Sequence, residues 1–549
     1  MDSLPSKDYA EASSPSVELV QRLTEIGIAL SQERNPDALL ERIVLEAMDI
    51  ANADGGTLYV MSEENTLDYE IVRNRSLSIQ FGGAHPTPDF KPIPLYDAMG
   101  LPHYTIQVVN AVLMRTTINI ENAYRADGFN FEGTHAFDRQ YGYLTQSVLT
   151  IPMINHKHEA IGCLQLINAK DPASGETITF SAEMAQIIEA LASQAAVILD
   201  NKQLILAQRN LLESFIKIIA QAIDSKSPYT GNHCERVPVL TEMLAEAACA
   251  ANEGKFARFS LNDEEKYELH IAGWLHDCGK IVTPMHIMDK STKLETIHDR
   301  IDAISTRFEV LKRDAHIAYL ESVMAQPDQQ AVHLAAFQGR VKQLEEDCEF
   351  VHKANIGGEF MADAEIERLE QLARLRWKRG GYGEALLSEN ELYNLSVRRG
   401  TITPEEREIM NDHMVHTVNM LESMPWPKHL RRVPEYACGH HEKMDGTGYP
   451  KGVFGATMSI PARMMAIADV FEALTAADRP YKPAKKLSEA MDIIAKLKKC
   501  NHLDPDLVDF FVSSGVYRDY ARLYLEPELI DAVDEAAILA IVPDAAFNR

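Results

Sequence analysis

The sequence is short of the features that would take it out of the class of ordinary folded, water-dwelling chains. Its seven cysteines are scattered and include no Cys-x-x-Cys pair. That argues against a disulfide framework or a thiolate zinc site and fits a reducing compartment. No run approaches the roughly 18 to 20 consecutive apolar residues of a membrane span, and the start, MDSLPSKDYAEASSPS, lacks the basic opening and apolar stretch of a signal peptide. The expectation is a cytoplasmic protein with no membrane association. Basic charge is scarce too: 54 Lys and Arg face 81 Asp and Glu, a formal net charge of -27. A phosphate-coating, DNA-binding surface needs clustered cations and is therefore not expected. An anionic substrate would be bound only if metal ions and a few local cations reversed the field.

What is present is enough apolar material for several cores. The 549 residues are 46% hydrophobic and 25% charged, the balance of a folded multidomain chain. Residues 1–16 read as a disordered N-terminus. A helical period follows over 17–51, then strand-like GTLYVM (56–61), SVLTIPM (147–153) and AIGCLQLIN (160–168). Helices flanking short strands imply an α+β sensor domain over 17–180. From Phe180 a helical pattern runs without Gly or Pro to Asp224. Leu191, Ile198, Ile205, Leu212 and Ile219 fall seven apart on it, one seam position of a coiled coil. We read 181–224 as a connecting helix and expect a parallel homodimer through it, the alternative being a long helix packed on its own domain. Residues 225–549 read as almost entirely helical, with a charged helical insertion over about 294–399 that ends near the turn RGGYGE.

The chemistry sits in histidines and aspartates. His276-Asp277 lies in HIAGWLHDCGKIVTP, with Lys280 one helical turn after His276. Around it come YTGNHCERV with His233, EEREIMNDH with His413, CGHHEKMDGTGYP with His440 and His441, and RMMAIADVFEALT with Asp469. A second dipeptide, His298-Asp299, has no Gly-Lys after it and is assigned to the charged insertion. Imidazole beside carboxylate suits iron, manganese or zinc, and a carboxylate can bridge two cations where a lone His cannot. Asp277 is the candidate bridge. The cation-rich DRPYKPAKK supplies Arg479 and Lys482 as candidate phosphate contacts.

The ordered series of His, HDxGK, His, HHExxDGxGYP and a helical Asp resembles the HD-GYP family of the HD superfamily. The segment NIENAY, then FD, GY and SVLTIPM, resembles GAF domains. The HD-GYP resemblance implies an all-α domain that hydrolyses cyclic di-GMP to the linear dinucleotide, and on to GMP, with cyclic GMP-AMP as the alternative substrate and a non-hydrolysing receptor as the alternative role. It implies one metal on His233, His276, Asp277 and Asp469 and a second on Asp277, His413, His440 and His441. Iron or manganese is the expected pair. Lys280, Arg479 and Lys482 would contact substrate, with Asp277 and Lys280 catalytic. Some members hold a third metal through a Glu four residues before the first His; here that residue is Tyr229, a poor ligand, so two metals are expected. The GAF resemblance implies a pocket for an unidentified small ligand, and the GYP loop is linked in the family to GGDEF-domain partners. Cys234, Cys278 and Cys438 lie near the ligands; we read them as small buried helix residues, with an oxidative switch as the alternative.

Overall fold

A computed structural model describes residues 35–86, 89–226, 233–358, 360–380, 382–477 and 484–545. The segment 1–16, Tyr229, Arg479 and Lys482 lie outside them, as does the stretch 17–34 expected to begin the first helix. The chain divides into two compact units, Met1–Leu211 and Leu212–Arg549, and the division falls inside one 45-residue helix, Ala182–Lys226.

The first unit opens with α1 (Pro36–Ile50). Asn35 caps it by accepting from the Asp37 and Ala38 amides, and Pro36, which has no amide to satisfy, stands at its first position. One antiparallel sheet follows: β1 (Ala53–Met61), β2 (Thr66–Asn74), β3 (Ile79–Phe81), β4 (Ile93–Pro94), β5 (Ile118–Ile120), β6 (Val148–Ile154), β7 (Ala160–Lys170) and β8 (Thr177–Ile178). Its order is β3-β2-β1-β7-β6-β5, with β4 on β2 and β8 on β7. Helices α2 (Gln107–Met114) and α3 (Glu132–Tyr141) lie between strands in sequence. Period-two alternation splits the sheet's faces. Leu58, Leu164 and Leu166 join a core with Leu40, Ile43 and Val44 of α1, and with Ile188, Leu191 and Leu199 of α4 (Ala182–Lys226). Their neighbours Tyr59, Gln165 and Ile167 instead line a cavity of about 170 Å³, with Tyr69, Phe90 and Gln107.

Helix α4 is long and apolar enough to cross a membrane by length and composition alone. Its apolar residues are nonetheless used for packing: Ile188 to Leu199 in the first core, Ile216 and Ile223 in the second. Of the expected seam, Leu191 is buried in the first core and Ile198 and Leu212 pack against the two cores, which leaves Ile205 and Ile219 exposed beside Val197, Leu204, Leu211 and Ile218.

The second unit is built on α5 (His233–Ala250), α6 (Asp263–Leu275), α11 (Pro404–Glu422), α12 (Val433–Cys438), α13 (Ile460–Thr475), α14 (Leu487–Lys499), α15 (Pro505–Ser513) and α16 (Val516–Tyr524). Sequence sets the starts: Asn262 with Glu265, and Thr403 with Glu406, form reciprocal capping boxes, and Ser459 caps α13. Helix α13 is buried nearly all round, with Ile467, Ala468 and Phe471 at 0% exposure; a side chain as large as Ile467 or Phe471 contributes roughly 2 kcal/mol of transfer free energy. Between α6 and α11 the chain makes a satellite with its own core of Leu294, Ile304, Phe308, Leu344, Val351, Leu369 and Leu395. It comprises α7 (Ile301–Ala325), α8 (Gln330–Ile356), α9 (Asp363–Ala373) and α10 (Glu389–Leu395). The expected helical insertion carries one element the sequence reading did not name, a short hairpin at its RGGYGE turn. The RGGYGE stretch falls in an antiparallel hairpin, β9 (Arg376–Arg379) paired with β10 (Tyr382–Ala385). Gly380 at φ +57 supplies the left-handed backbone that a helix cannot use.

Candidate metal centre

The seven His and Asp side chains come from five separate elements. Helix α6 ends at Leu275 with His276 as its C-cap, and Asp277 leads into a 3₁₀ turn, Cys278–Ile281. His233 starts α5, His413 lies within α11, His440 and His441 follow α12, and Asp469 projects from α13. What lets α11 approach the Asp277 turn is Gly279. Its amide donates to Thr417 Oγ1 at 2.9 Å, and a Cβ there would stand 2.0 Å from the His413 carbonyl oxygen.

Two groups result, each with its ligand atoms within 4.8 Å of one another: His233, His276, Asp277 and Asp469, and Asp277, His413, His440 and His441. Asp277 belongs to both and divides its oxygens between them. Its Oδ2 lies 3.5 Å from His233 Nε2 and 3.1 Å from His276 Nε2. Its Oδ1 lies 3.4 Å from His413 Nε2 and 4.0 Å from His440 Nε2. Asp469 Oδ1 is 3.2 Å from His233 Nε2. Separations near 3 to 4 Å suit donors that share one cation at roughly 2 Å each.

The donor chemistry fits a divalent metal. His276 Nε2, Asp277 Oδ1, His413 Nε2 and His440 Nε2 are buried polar atoms with no hydrogen-bond partner; such atoms are costly unless a ligand takes them up. Burial opposes ionising Asp277, yet Lys280 and His276 hold its carboxyl well below the usual range. Burial likewise opposes ionising Asp469, and its neighbouring histidines, His233 first, more than offset it. Burial, helped by His441 and His276, keeps His440 neutral, and burial brings His441 down to about 4. Asp277 and Asp469 are thus held ionised and His440 and His441 neutral, as metal ligation requires, whereas at His233 the pull of burial is outweighed by Glu472, Asp277 and Asp469, so that an incoming ion would displace a proton there.

A second ring of contacts aims the first. His276, His413 and His440 each direct Nδ1 to the carbonyl three residues back, at Gly273, Met410 and Ala437, which leaves Nε2 facing the centre. His233 differs: its Nδ1 meets Glu472, whose other oxygen accepts from Arg236 Nε at 2.6 Å. His441 stacks on Tyr449, with ring centroids 4.8 Å apart at 19°. Lys280 Nζ donates to Asp277 Oδ2. Gly279 and Tyr449 entered the sequence reading only as letters of HDxGK and GYP, with no role assigned, and Glu472 was passed over. For Glu472 a signal existed, since it follows Asp469 by three residues and so shares its helix face.

The HHExxDGxGYP string is mostly a scaffold. Glu442 accepts from the Lys451 and Val453 amides, and a Cβ on Gly448 would stand 2.5 Å from Glu442 Cα. Beyond the undescribed Arg479 and Lys482, Lys485 lies 3.7 Å from Glu489. Asp299 of the second His-Asp pair accepts from Thr292 and Asn355, a structural role, and His298 is exposed.

Comparison with known proteins agrees with this division. Residues 35–199 match the GAF domain model and residues 388–507 the HD domain model. The HD match takes in His413, His440, His441 and Asp469 and begins after most of the satellite. Over 83 residues the chain is 48% identical to 3'3'-cGAMP-specific phosphodiesterase 1 of Vibrio cholerae, covering 15% of this chain and 19% of that one. Over 308 residues it is 24% identical to 3'3'-cGAMP-specific phosphodiesterase 3 of the same organism, covering 54% and 40%. A cyclic di-GMP phosphodiesterase of Thermotoga maritima is 36% identical over 127 residues, covering 22% and 34%. The match thus spans 40% or less of the length of each of these relatives.

Proposed function

From a chain that carries a GAF domain and an HD domain, and whose homologues are cyclic-dinucleotide phosphodiesterases of the HD-GYP type, we propose a metal-dependent phosphodiesterase that opens a cyclic dinucleotide to its linear form, and on to GMP. The observation that carries this reading is the pair of buried ligand groups joined by Asp277. His233, His276, Asp277 and Asp469 would hold one divalent ion and Asp277, His413, His440 and His441 the other, iron or manganese by donor type. Bound there, such a pair supplies an acidified water and neutralises charge on phosphate oxygens. The chain's own part is to fix Asp277 between both groups, keep His440 and His441 neutral, and offer Lys280 as a donor to a non-bridging phosphate oxygen. Lys280 stands on Asp277 in this structure, so in this reading it serves first to orient the bridge. Arg479 and Lys482 remain the proposed phosphate grips.

Cyclic di-GMP is the proposed substrate. 3'3'-cGAMP is the second reading, favoured by the 48% identity to an enzyme named for it. A receptor that binds without cleaving is the third. The GAF cavity is proposed to take a small ligand and to act on the catalytic unit along α4, in a cytoplasmic homodimer whose pairing along α4 would use Ile205 and Ile219, the exposed members of the expected seam. A GGDEF-domain protein is the proposed partner at the GYP loop. The test is to purify the chain anaerobically under reducing conditions, count its metals, and follow both cyclic dinucleotides by chromatography beside Asp277→Ala. Cleavage lost in the variant supports the enzyme; ligand bound but uncleaved with both metals present favours the receptor.

A further inference from the structure

The two ligand groups share Asp277 but are supported differently. In the first group, Asp469 adds a second carboxylate, and behind His233 stands a third, Glu472, 1% exposed and gripped by Arg236. Glu472 lies one turn beyond Asp469 on α13, so the same helix that supplies a ligand also supplies the group that aims a second ligand. Among the described residues, the second group has no carboxylate of its own beyond the shared Asp277. His413 and His440 are aimed by neutral carbonyls, and His441 rests against the Tyr449 ring with no carbonyl or carboxylate partner among the described residues.

A carboxylate behind an imidazole fixes its tautomer, makes the far nitrogen a better donor, and brings an uncancelled fraction of negative charge close to the cation; loss of such a partner weakens metal binding by about 10- to 100-fold. Here Arg236 keeps Glu472 from turning away, and burial leaves the His233 contact unscreened. We propose that Glu472, held by Arg236, is a positioning residue that makes the two halves of the centre unequal: the half containing His233 retains its ion when the half containing His441 has lost its own. The proposal rests on the binuclear reading above and extends it to an order of loading and loss. A singly loaded form would then be a defined species, with its ion on His233, His276, Asp277 and Asp469.

Manganese alone serves as the probe. Metal-free full-length protein is titrated with Mn(II) and bound ion is followed calorimetrically and by its paramagnetic resonance, with no substrate present. The wild type should bind two ions in two distinguishable steps. Glu472→Gln, which keeps the shape and removes the charge, should weaken the tighter step about 10- to 100-fold and leave the weaker one in place. Glu472→Asp should recover part of the loss. Arg236→Met, which leaves Glu472 and His233 intact, should shift the same step in the same direction and guards against a misfolded Gln variant. His413→Ala should abolish the weaker step alone. Two equal sites in the wild type, or equal weakening of both steps in Glu472→Gln, would overturn the proposal; failure of the wild type to bind Mn(II) at all would instead overturn the binuclear reading beneath it.

Discussion

Gly279 donates its amide to Thr417 Oγ1 at 2.9 Å and packs directly under the backbone of His413. This contact closes the distance between the Asp277 turn and α11, and hence between the two ligand groups. Any side chain at 279 must push the two apart.

Gly279→Ala should therefore act on both stability and chemistry. Overpacking of this kind costs roughly 1 to 3 kcal/mol. The displacement should also move His413 from Asp277 Oδ1. The expected outcome is a lower thermal midpoint together with a lower metal content, read by elemental analysis. Full metal content with unchanged stability would show that α11 can yield without consequence.

Tyr449 should matter through its ring. The stack on His441 is worth about 0.5 to 1.5 kcal/mol beyond area burial. Tyr449→Phe keeps the ring and should leave metal affinity near wild type; Tyr449→Leu should weaken it about 2- to 10-fold. Equal behaviour of the two variants in a chelator competition would remove the ring from the account.

Lys293 offers a pH test away from the centre. Its ammonium is buried in the satellite with one carbonyl, Leu395, at 2.9 Å, and burial pushes its pKa down to about 8. The unfolded chain keeps that proton to about 10.4. Between these values the unfolded state binds more protons, so Lys293 makes stability rise with pH from about 8 to 10.4. Other groups titrate there too, so the comparison is with Lys293→Met. The wild type should gain on the variant as pH rises through that window, measured by denaturant unfolding; parallel pH profiles would refute the assignment.

The cysteines near the ligands should be inert in the native state. Burial pushes the Cys278 and Cys438 thiols up to about 12, and Cys234 well above its usual value. Reactive cysteines are thiolates. At pH 7.5 iodoacetamide should label exposed Cys500 readily and these three only on unfolding, as read by peptide mass mapping. Labelling of Cys278 at the rate of Cys500 would revive the oxidative-switch alternative.

The parts of the molecule legible in sequence were those whose signal is local. Strands 56–61, 147–153 and 160–168 show through composition and alternation, and the His and Asp positions show through dense motifs. The hairpin β9–β10 was missed because its polar residues, Arg376 to Arg379, lack the apolar alternation of a half-buried strand; β9 is exposed at all but one position. Glu472 was missed because its meaning depends on His233, 239 residues earlier in the chain. The cavity-lining role of Tyr59 and Gln165 depends on which face of the sheet the helices cover, and no single strand carries that information.

The satellite between α6 and α11 has a consequence for how the centre can assemble. Its ends meet: the Thr401 hydroxyl donates to the Lys290 carbonyl, and Lys290 Nζ reaches Glu406 at 2.8 Å. Since the satellite has a core of its own, it can close this long loop before Asp277 and His413 need to find each other. A span on the order of a hundred residues then behaves as a tether of about two dozen, which lowers the chain-entropy cost of that encounter by about 1 to 2 kcal/mol. Folding of the satellite should thus come before, and speed, the joining of the two ligand groups across Asp277.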